Sequence, residues 1–246
     1  MISIVGNATV FRLARPDKLN SINRSVLDAL AGCLDDMERQ GRRLLVITSE
    51  GRRAFSAGAD LDELRHADAD SITVQAAIAR ELFIRMSRSK VLSIAAINGV
   101  AFGGGLELAM ACTLRIAASN ARVSLPEIKL GLMPAYGGTQ FLPALVGSSR
   151  ALEMMLTGRV LSAAEASSIG LLSRVCVDDE DVLQASLSLG EEIIAHSATA
   201  IHGIRASVGA YKGRLAGVGF SSEGFAVREV FRSDEAREGV AGFFAK

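Results

Sequence analysis

The stretch Asn98-Gly-Val-Ala-Phe-Gly-Gly-Gly-Leu-Glu-Leu-Ala-Met-Ala-Cys112 decides what kind of fold this chain forms. It follows the apolar run 93–97, which predicts a buried strand. Its second half, 106–112, predicts a helix. Three consecutive glycines at 103–105 join the two elements, and glycine permits unusual backbone angles and close approach to the main chain. A buried strand, a glycine turn and a helix in this order are typical of an α/β protein.

Glu107 lies inside the apolar helix of this stretch, and no other charged residue occurs between Lys90 and Arg115. An ionised carboxylate buried without partners costs several kcal/mol, so we expect Glu107 to face a cavity, to be paired or to have a raised pKa. All three are common at active sites. The alternative is an amphipathic helix that leaves Glu107 in water.

The glycines ahead of Glu107 supply a second chemical feature. N–H groups at a helix start lack intrahelical acceptors and lie at the positive end of the helix dipole. They could therefore hold a carbonyl oxygen that gains negative charge during a reaction. A tight turn without a binding role is the alternative. A dinucleotide-binding loop is disfavoured because Leu108 stands where the third glycine of that fingerprint belongs.

Two further positions share this character. Ala57-Gly58-Ala59-Asp60 forms another turn of small residues after a strand, and it too can offer a bare N–H to a ligand. Glu127 follows Pro126, twenty residues after Glu107. It is either a second catalytic carboxylate or a dipole-favoured acid in the first turn of a helix. Two carboxyls in one dry site titrate as a coupled pair, and one can stay protonated near neutrality.

The flanking sequence predicts alternating elements. Residues 62–72 are charge-rich and predict a mobile loop, and Ser162 and Glu165 form a capping box that predicts a helix start. Strands separated by helices suggest βαβ units, in an α/β core over 1–190 with a helical C-terminal region over 191–246. The periodicities predict strands at 9–13, 44–48, 93–97 and 114–118, a short strand that breaks at Pro126, and helices at 26–40, at 73–88 and from about 148 onward.

Composition excludes several classes of function. The 27 basic residues balance the 27 acidic ones, so no basic field draws the chain to nucleic acid or anionic lipid. No run is apolar enough to span a bilayer, which needs about 20 such residues, and no targeting segment is visible. The histidines show no metal-ligand spacing. Three widely spaced cysteines fit a reducing compartment, and we expect a cytoplasmic protein.

Taken together, these residues resemble the crotonase family, the enoyl-CoA hydratase/isomerase superfamily, over nearly the whole chain. The resemblance depends on the joint order and spacing of several motifs rather than on any single one. These motifs occupy residues 15–20, 54–61, 98–109, 126–131, 137–140, 156–159 and 163–170.

The resemblance implies a crotonase-like spiral core of ββα repeats and a helical C-terminal region that mediates contacts in a homotrimer or a dimer of trimers. It also implies an acyl-CoA thioester substrate, with coenzyme A part of the substrate and no separate cofactor. The hydratases of the family carry both glutamates, as here at 107 and 127, whereas many isomerases keep only the second. The resemblance therefore favours hydration of a trans-2-enoyl-CoA. Double-bond isomerisation or another crotonase reaction is the first alternative, and a non-catalytic RNA-binding or assembly member of the fold is the second.

The resemblance also implies roles for individual residues. The N–H groups of Ala59 and Gly104 would form an oxyanion hole for the thioester carbonyl. Glu107 would act mainly on water and Glu127 mainly on C2, although the pair shares protons. The residues implied to line the coenzyme A and thioester path are Leu19, near the adenine side, and Ala57, Asp60 and Leu61.

The chain departs from the family pattern at a few places. Asp17 stands where the family often has lysine, Phe141 stands where arginine is common, and Tyr136 follows Ala135 in place of a smaller residue. Tyr136 either reshapes the acyl pocket or packs. The chain ends at Lys246, where relatives often continue into a basic tail. These departures bear on coenzyme A contacts and chain length more than on chemistry.

Overall fold

The computed structural model describes residues 1–66, 68–178, 180–208, 223–224, 227–228, 232 and 238–242. The strands in these ranges are β1 (Ile2–Val5), β2 (Ala8–Leu13), β3 (Leu44–Ser49), β4 (Ala54–Ser56), β5 (Leu92–Ile97), β6 (Val100–Phe102), β7 (Leu114–Ala117), β8 (Arg122–Ser124), β9 (Leu161–Ser162) and β10 (Arg174–Val175). The helices are α1 (Arg24–Gln40), α2 (Leu61–His66), α3 (Ala69–Arg88), α4 (Gly104–Ala111), α5 (Gly138–Val146), α6 (Ser148–Thr157), α7 (Ala163–Ser168), α8 (Val182–Ile194) and α9 (198–208), with short 3-10 helices at Pro16–Lys18 and Glu127–Leu130.

The strands form two sheets. The larger sheet has the order β1-β2-β3-β5-β7-β10, and only the β1–β2 pair is antiparallel. The smaller sheet has the order β4-β6-β8-β9, with β9 antiparallel to β8. The chain is therefore an α/β protein, as the sequence predicted.

From β3 to β8 the strands alternate between the two sheets, and this makes the fold a spiral. The pairs β3–β4, β5–β6 and β7–β8 each place their first strand in the larger sheet and their second in the smaller one, and a helix follows each pair. The repeating unit is thus ββα, as the resemblance implied. The βαβ units predicted from spacing are wrong, because strands of three residues such as β4 and β6 are too short to show an alternating pattern.

The larger sheet is buried on both faces. Leu44 and Val46 of β3 pack in a cluster with α8, while Leu45 and Ile47 face a second cluster built with α1, α3 and α4. This two-sided burial explains why β3 and β5 read as continuous apolar runs rather than alternating ones. The helix ends also match the sequence. Asn23 caps α1 by accepting from the Val26 N–H at 3.0 Å, and the predicted capping box at the start of α7 is present.

The loop predicted over 62–72 is wrong. This segment holds α2 and the start of α3, and the Asp68 side chain caps α3 by accepting from the Ser71 N–H at 2.7 Å. Its aspartates are therefore a helix cap and a first-turn acid, where the dipole favours negative charge, and not the mark of an unstructured segment. Helix α3 matters for function, since Ile72 and Ala76 line the cavity of the candidate site.

The C-terminal region is described only in part. Helix α8 spans the boundary predicted at residue 190, and α9 follows it, but most of the predicted helical region 191–246 lies outside the described residues. The chain end at 243–246 lies outside them as well. The two-part division stays a prediction. Across the helices that the structure describes, none combines the length and the apolar character that a membrane crossing requires.

Candidate active site

The turn after β4 presents one unpaired backbone N–H. Gly58 accepts from the Ile22 N–H at 2.7 Å, and Asp60 donates its N–H to the Ile22 oxygen at 3.0 Å. Ala59, between these two bonded residues, donates its own N–H to no acceptor among the described residues. Gly58 has φ +104°, and a side chain there would lie 2.9 Å from the Phe102 oxygen. Only glycine therefore lets this turn approach the neighbouring strand β6.

The start of α4 presents a second such N–H. Gly103 caps the helix with φ +49° and donates to the Ser124 oxygen, which fixes the entry of the chain. Gly104 is the first helical residue, and within the described chain its N–H has no protein acceptor, as expected for a first helical turn. The Ala59 nitrogen lies 3.4 Å from the position that a Cβ on Gly104 would take. The two N–H groups therefore border the same small space.

Glu107 is held in place by backbone donors. The carboxylate is 1% exposed, and its Oε1 atom accepts from the N–H of Tyr136 at 2.8 Å and from that of Gly138 at 2.7 Å. Burial raises the pKa of Glu107 well above its ordinary value, and the nearby charge of Glu127 adds to this rise, while the two amide donors oppose it. The reading that places Glu107 in water is wrong.

Glu127 faces the same space from the 3-10 helix after β8. Its Oε1 atom lies 3.1 Å from the position of a Cβ on Gly103, so the carboxyl group is close to the start of α4. Glu127 is half-buried as a residue, but its Oε2 atom is inaccessible and has no partner in the described structure. Burial raises its pKa to about 7. A group with this pKa can both give and take a proton near neutrality.

One cavity of about 480 Å³ collects the residues that the sequence singled out. The predicted residues that line it are Leu19, Ala57, Ala59, Asp60, Leu61, Gly104, Glu107 and Glu127. Some of their groups are engaged within the protein. The Ala57 N–H donates to the Leu19 oxygen at 3.0 Å, and Asp60 pairs with Arg15 at 2.7 Å. These two therefore shape the cavity wall, whereas the N–H groups of Ala59 and Gly104 remain open to a ligand.

Tyr136 both lines the cavity and packs. It is 5% exposed, and its ring stands edge-on to Phe83 with the ring centroids 5.8 Å apart. A Cβ added to Gly104 would lie 2.7 Å from its Cε2 atom, so the ring packs directly against Gly104. The packing role that the sequence left open for Tyr136 is thus confirmed, while its effect on an acyl pocket stays a prediction. Its ring forms a wall beside the oxyanion space.

Sequence reasoning missed the groups that support Glu107. Nothing in the sequence marks Gly138 and the Tyr136 amide as its donors, because backbone donors carry no side-chain signature. Glu223 was also missed. It is a buried carboxyl in the C-terminal region, 84 positions from its partner Thr139. In the part of the chain that the structure describes, no group of three or more metal-ligating side chains is found.

The chain is similar over nearly its whole length to known enoyl-CoA hydratases. A family model described as enoyl-CoA hydratase/isomerase matches residues 4–246, and the chain belongs to this family. A probable enoyl-CoA hydratase of Bacillus subtilis (strain 168) is 36% identical over 92% of this chain and 88% of that protein. A crotonyl-CoA hydratase of Syntrophomonas wolfei is 35% identical over 96% and 91%, respectively.

The solved structures agree on the fold. The crystal structure of an enoyl-CoA hydratase/isomerase from Mycobacterium paratuberculosis is similar to this chain with a TM-score of 0.90 and 28% identity. The similarity covers 98% of this chain and 97% of that one. The spiral of ββα units is therefore the crotonase fold.

Proposed function

We propose that the protein hydrates a trans-2-enoyl-CoA thioester to a 3-hydroxyacyl-CoA. The observation that carries this proposal is the meeting of two carboxyl groups, Glu107 and Glu127, with the open N–H groups of Ala59 and Gly104 on one cavity. Membership of the family supports the substrate class. The relatives named as enoyl-CoA and crotonyl-CoA hydratases support the reaction.

The two N–H groups would act on the thioester carbonyl. Water adds to a carbon–carbon double bond only when a conjugated carbonyl draws electrons away from C3. Addition at C3 moves negative charge onto the carbonyl oxygen, and the N–H groups of Ala59 and Gly104 are placed to stabilise that charge. Loss of one such donor costs about 2.7–4 kcal/mol in a comparable oxyanion hole.

The two glutamates would handle the protons. Backbone donors fix Oε1 of Glu107, so its other oxygen can accept a proton from the attacking water, whose hydroxyl bonds to C3. Glu127 would give a proton to C2. The proton taken from water then replaces the one given to C2, so the pair returns to its starting state. With both pKa values raised by burial, the pair can hold one proton near neutrality.

The coenzyme A portion of the substrate would lie along the cavity wall formed by Leu19, Ala57, Asp60 and Leu61. Lys18 also lines this part of the cavity and pairs with Asp62 there. A lysine at this place suits the phosphates of a nucleotide-like group. The ion pair with Arg15 fixes the nearly buried side chain of Asp60 in this wall.

A panel of trans-2-enoyl-CoA substrates of different length and branching tests the proposal. We expect the conjugated thioester absorbance to disappear and oxygen from labelled water to enter the product at C3. Glu107→Gln and Glu127→Gln should abolish turnover, while Glu192→Gln, a control on exposed α8 surface, should not. The absence of hydration on every substrate would contradict the proposal.

The same assay separates the isomerase alternative. Consumption of a 3-enoyl-CoA without incorporation of water oxygen would show double-bond isomerisation. Solvent-proton exchange at C2 tests the division of roles. If Glu127→Gln exchanges the C2 proton at the normal rate, Glu127 is not the C2 acid.

We also propose that the protein assembles as a homotrimer or a dimer of trimers. Apolar side chains on α6 and beside it support an interface there. Leu152 and Leu156 are 53% and 66% exposed, and Ile128 of the neighbouring 3-10 helix is 43% exposed. Exposed apolar patches of this kind mark interaction surfaces. Light scattering coupled to size exclusion would give the mass, and a monomer would contradict the proposal.

The acid–base groups of the chain suffice for adding water, so we propose that no separate cofactor is needed, and activity after dialysis against a chelator tests this. We also propose that the protein has no nucleic-acid partner, because its basic and acidic residues balance. A cytoplasmic location is favoured by three buried, unpaired cysteines, and cell fractionation would check it.

A further inference from the structure

Glu223 is a buried carboxyl that has no role in the proton transfers of the proposed reaction. It is 2% exposed, and its Oε2 atom accepts from the Thr139 N–H at 3.0 Å and from the Thr139 hydroxyl. Its Oε1 atom is inaccessible and has no partner in the described structure. Burying a carboxyl group is costly, and one oxygen of this one has no hydrogen-bond partner among the described residues. Such a group suggests a role beyond packing.

The partner of Glu223 belongs to the segment that holds Glu107. Thr139 is the second residue of α5, and its neighbour Gly138 donates to Oε1 of Glu107, as does Tyr136 just before the helix. Backbone N–H groups at the start of one helix therefore bind two buried carboxylates. The positive end of the helix dipole favours both. Glu223 is thus linked to Glu107 through a single turn of backbone.

The charges around Glu223 come from several elements. Burial raises the pKa of Glu223, whereas the Thr139 donors and Arg80 of α3 oppose this rise. The Arg80 guanidinium lies next to Gly224, where an added Cβ would be 2.8 Å from Nη2. Glu107 of α4 and Glu127 of the 3-10 helix are the acidic groups on the other side. The charge of Glu223 contributes to the raised pKa of each. The three carboxyls are therefore coupled electrostatically.

We propose that Glu223 is a positioning residue for the proposed hydratase reaction, one that fixes the start of α5 through Thr139 and thereby aims Glu107 at the cavity. The inference rests on the proposed function. It connects Glu223, a residue of the C-terminal region, to the active site. The negative charge of Glu223 has a second effect, since it disfavours ionisation of both glutamates and helps them keep a shared proton.

Two substitutions separate position from charge. Glu223→Ala removes both the hydrogen bonds and the charge, and misplacing a catalytic group costs up to about 100-fold in rate, so we expect kcat to fall roughly 10- to 100-fold. Glu223→Gln keeps an oxygen that can accept from Thr139 but removes the charge. We expect a smaller loss of kcat and a shift of both limbs of the kcat/KM–pH profile to lower pH, because each glutamate then ionises more readily. Simple packing defects would not move these limbs.

Thr139 provides matched variants on the other side of the contact. Thr139→Ser keeps the hydroxyl and should behave like the wild type. Thr139→Val removes it at nearly constant shape and should lower kcat. Because the hydroxyl donor favours the ionised form of Glu223, the pH limbs should move in the same direction as in Glu223→Gln, but less far. Glu192→Ala is the control for loss of a glutamate elsewhere.

Hydrogen–deuterium exchange over 136–142 gives a readout that does not depend on activity. We expect faster exchange in Glu223→Ala than in the wild type, and wild-type exchange in Glu192→Ala. If the wild type fails to hydrate any substrate, the proposed function is wrong, while the exchange comparison still decides whether Glu223 orders the start of α5. Wild-type exchange and wild-type kcat in Glu223→Ala would overturn the positioning role. Unmoved pH limbs in Glu223→Gln would overturn the electrostatic one.

Discussion

Gly138 donates its backbone N–H to Oε1 of Glu107 over 2.7 Å, and this bond ties the start of α5 to the buried helix α4. The bond serves two purposes. It satisfies one oxygen of a carboxylate that is shielded from water, and it fixes the direction of the other. The Tyr136 N–H is a second donor to the same Oε1 atom, so this oxygen accepts two hydrogen bonds. The geometry of the site therefore depends on backbone as much as on side chains.

Gly138→Ala should disable the site without unfolding the protein. An added Cβ would lie 2.8 Å from Oε1 of Glu107 and 2.8 Å from Cβ of Pro134, so the carboxylate must move. We expect a loss of activity of roughly 100-fold, the scale of a misplaced catalytic group. Gly32→Ala on α1, where no atom lies within 4 Å of the new Cβ, is the matched control and should keep full activity. Equal activity in both variants would contradict the assigned role of Glu107.

Gly104→Ala tests the oxyanion space directly. The new Cβ would lie 2.7 Å from Cε2 of Tyr136 and 3.4 Å from the Ala59 nitrogen, and so it would occupy the space between the two open N–H groups. We expect kcat to fall about 10²- to 10³-fold, as when an oxyanion donor is lost. Steady-state kinetics beside circular dichroism would check this. A folded variant with normal kcat would show that the carbonyl binds elsewhere.

The stability of the protein should depend on pH through Glu127. Its pKa is about 7 in the folded protein against an ordinary 4.5. Between these values the folded state keeps a proton that the unfolded state has lost, so the free energy of unfolding falls as pH rises through this window. Glu127→Gln has no carboxyl group to ionise, so its free energy of unfolding should not decrease in this pH window. We expect the variant to be more stable than the wild type at alkaline pH, by on the order of 2 kcal/mol, with a smaller gap at acidic pH.

Chemical denaturation at a series of pH values measures this difference. Glu192→Gln, with an exposed side chain, is the control and should follow the wild type throughout. A gap between Glu127→Gln and the wild type that stays constant with pH would mean that Glu127 titrates normally in the folded protein.

Asn20 should be essential for the turn that carries Ala59. It is buried at φ +55°, and its side chain donates to the oxygens of Glu50 and Ala54 and accepts from the Arg15 N–H. Asn20→Ala leaves the Arg15 N–H and the Glu50 oxygen without these partners, while the Ala54 oxygen keeps the Ser49 hydroxyl. We expect the free energy of unfolding to drop by about 3 kcal/mol. Denaturation curves would measure this against Asn120→Ala at an exposed position. Equal stability of the two variants would refute this structural role of Asn20.

Part of the site could be predicted from sequence because its residues stand out locally. Glu107 is the single charge in a long apolar run, and the glycines before it have no reason to be there unless the backbone must turn or bind. Glu127 after Pro126 was less distinct, and the sequence left it open between a catalytic and a helix-start role. The charge-rich segment at 62–72 was misread, since a helix cap and a loop use the same acidic residues.

What the sequence determined by itself is the class of fold, the two carboxyl groups and the small-residue turns, because burial, charge and backbone freedom are properties of single residues and short runs. Only the tertiary structure decided that the strands from β3 to β8 alternate between two sheets. It alone brought Gly138 to Glu107 and Glu223 to Thr139. These contacts join residues 31 and 84 positions apart. A backbone donor or a distant carboxyl acquires its role only from the groups that folding places beside it.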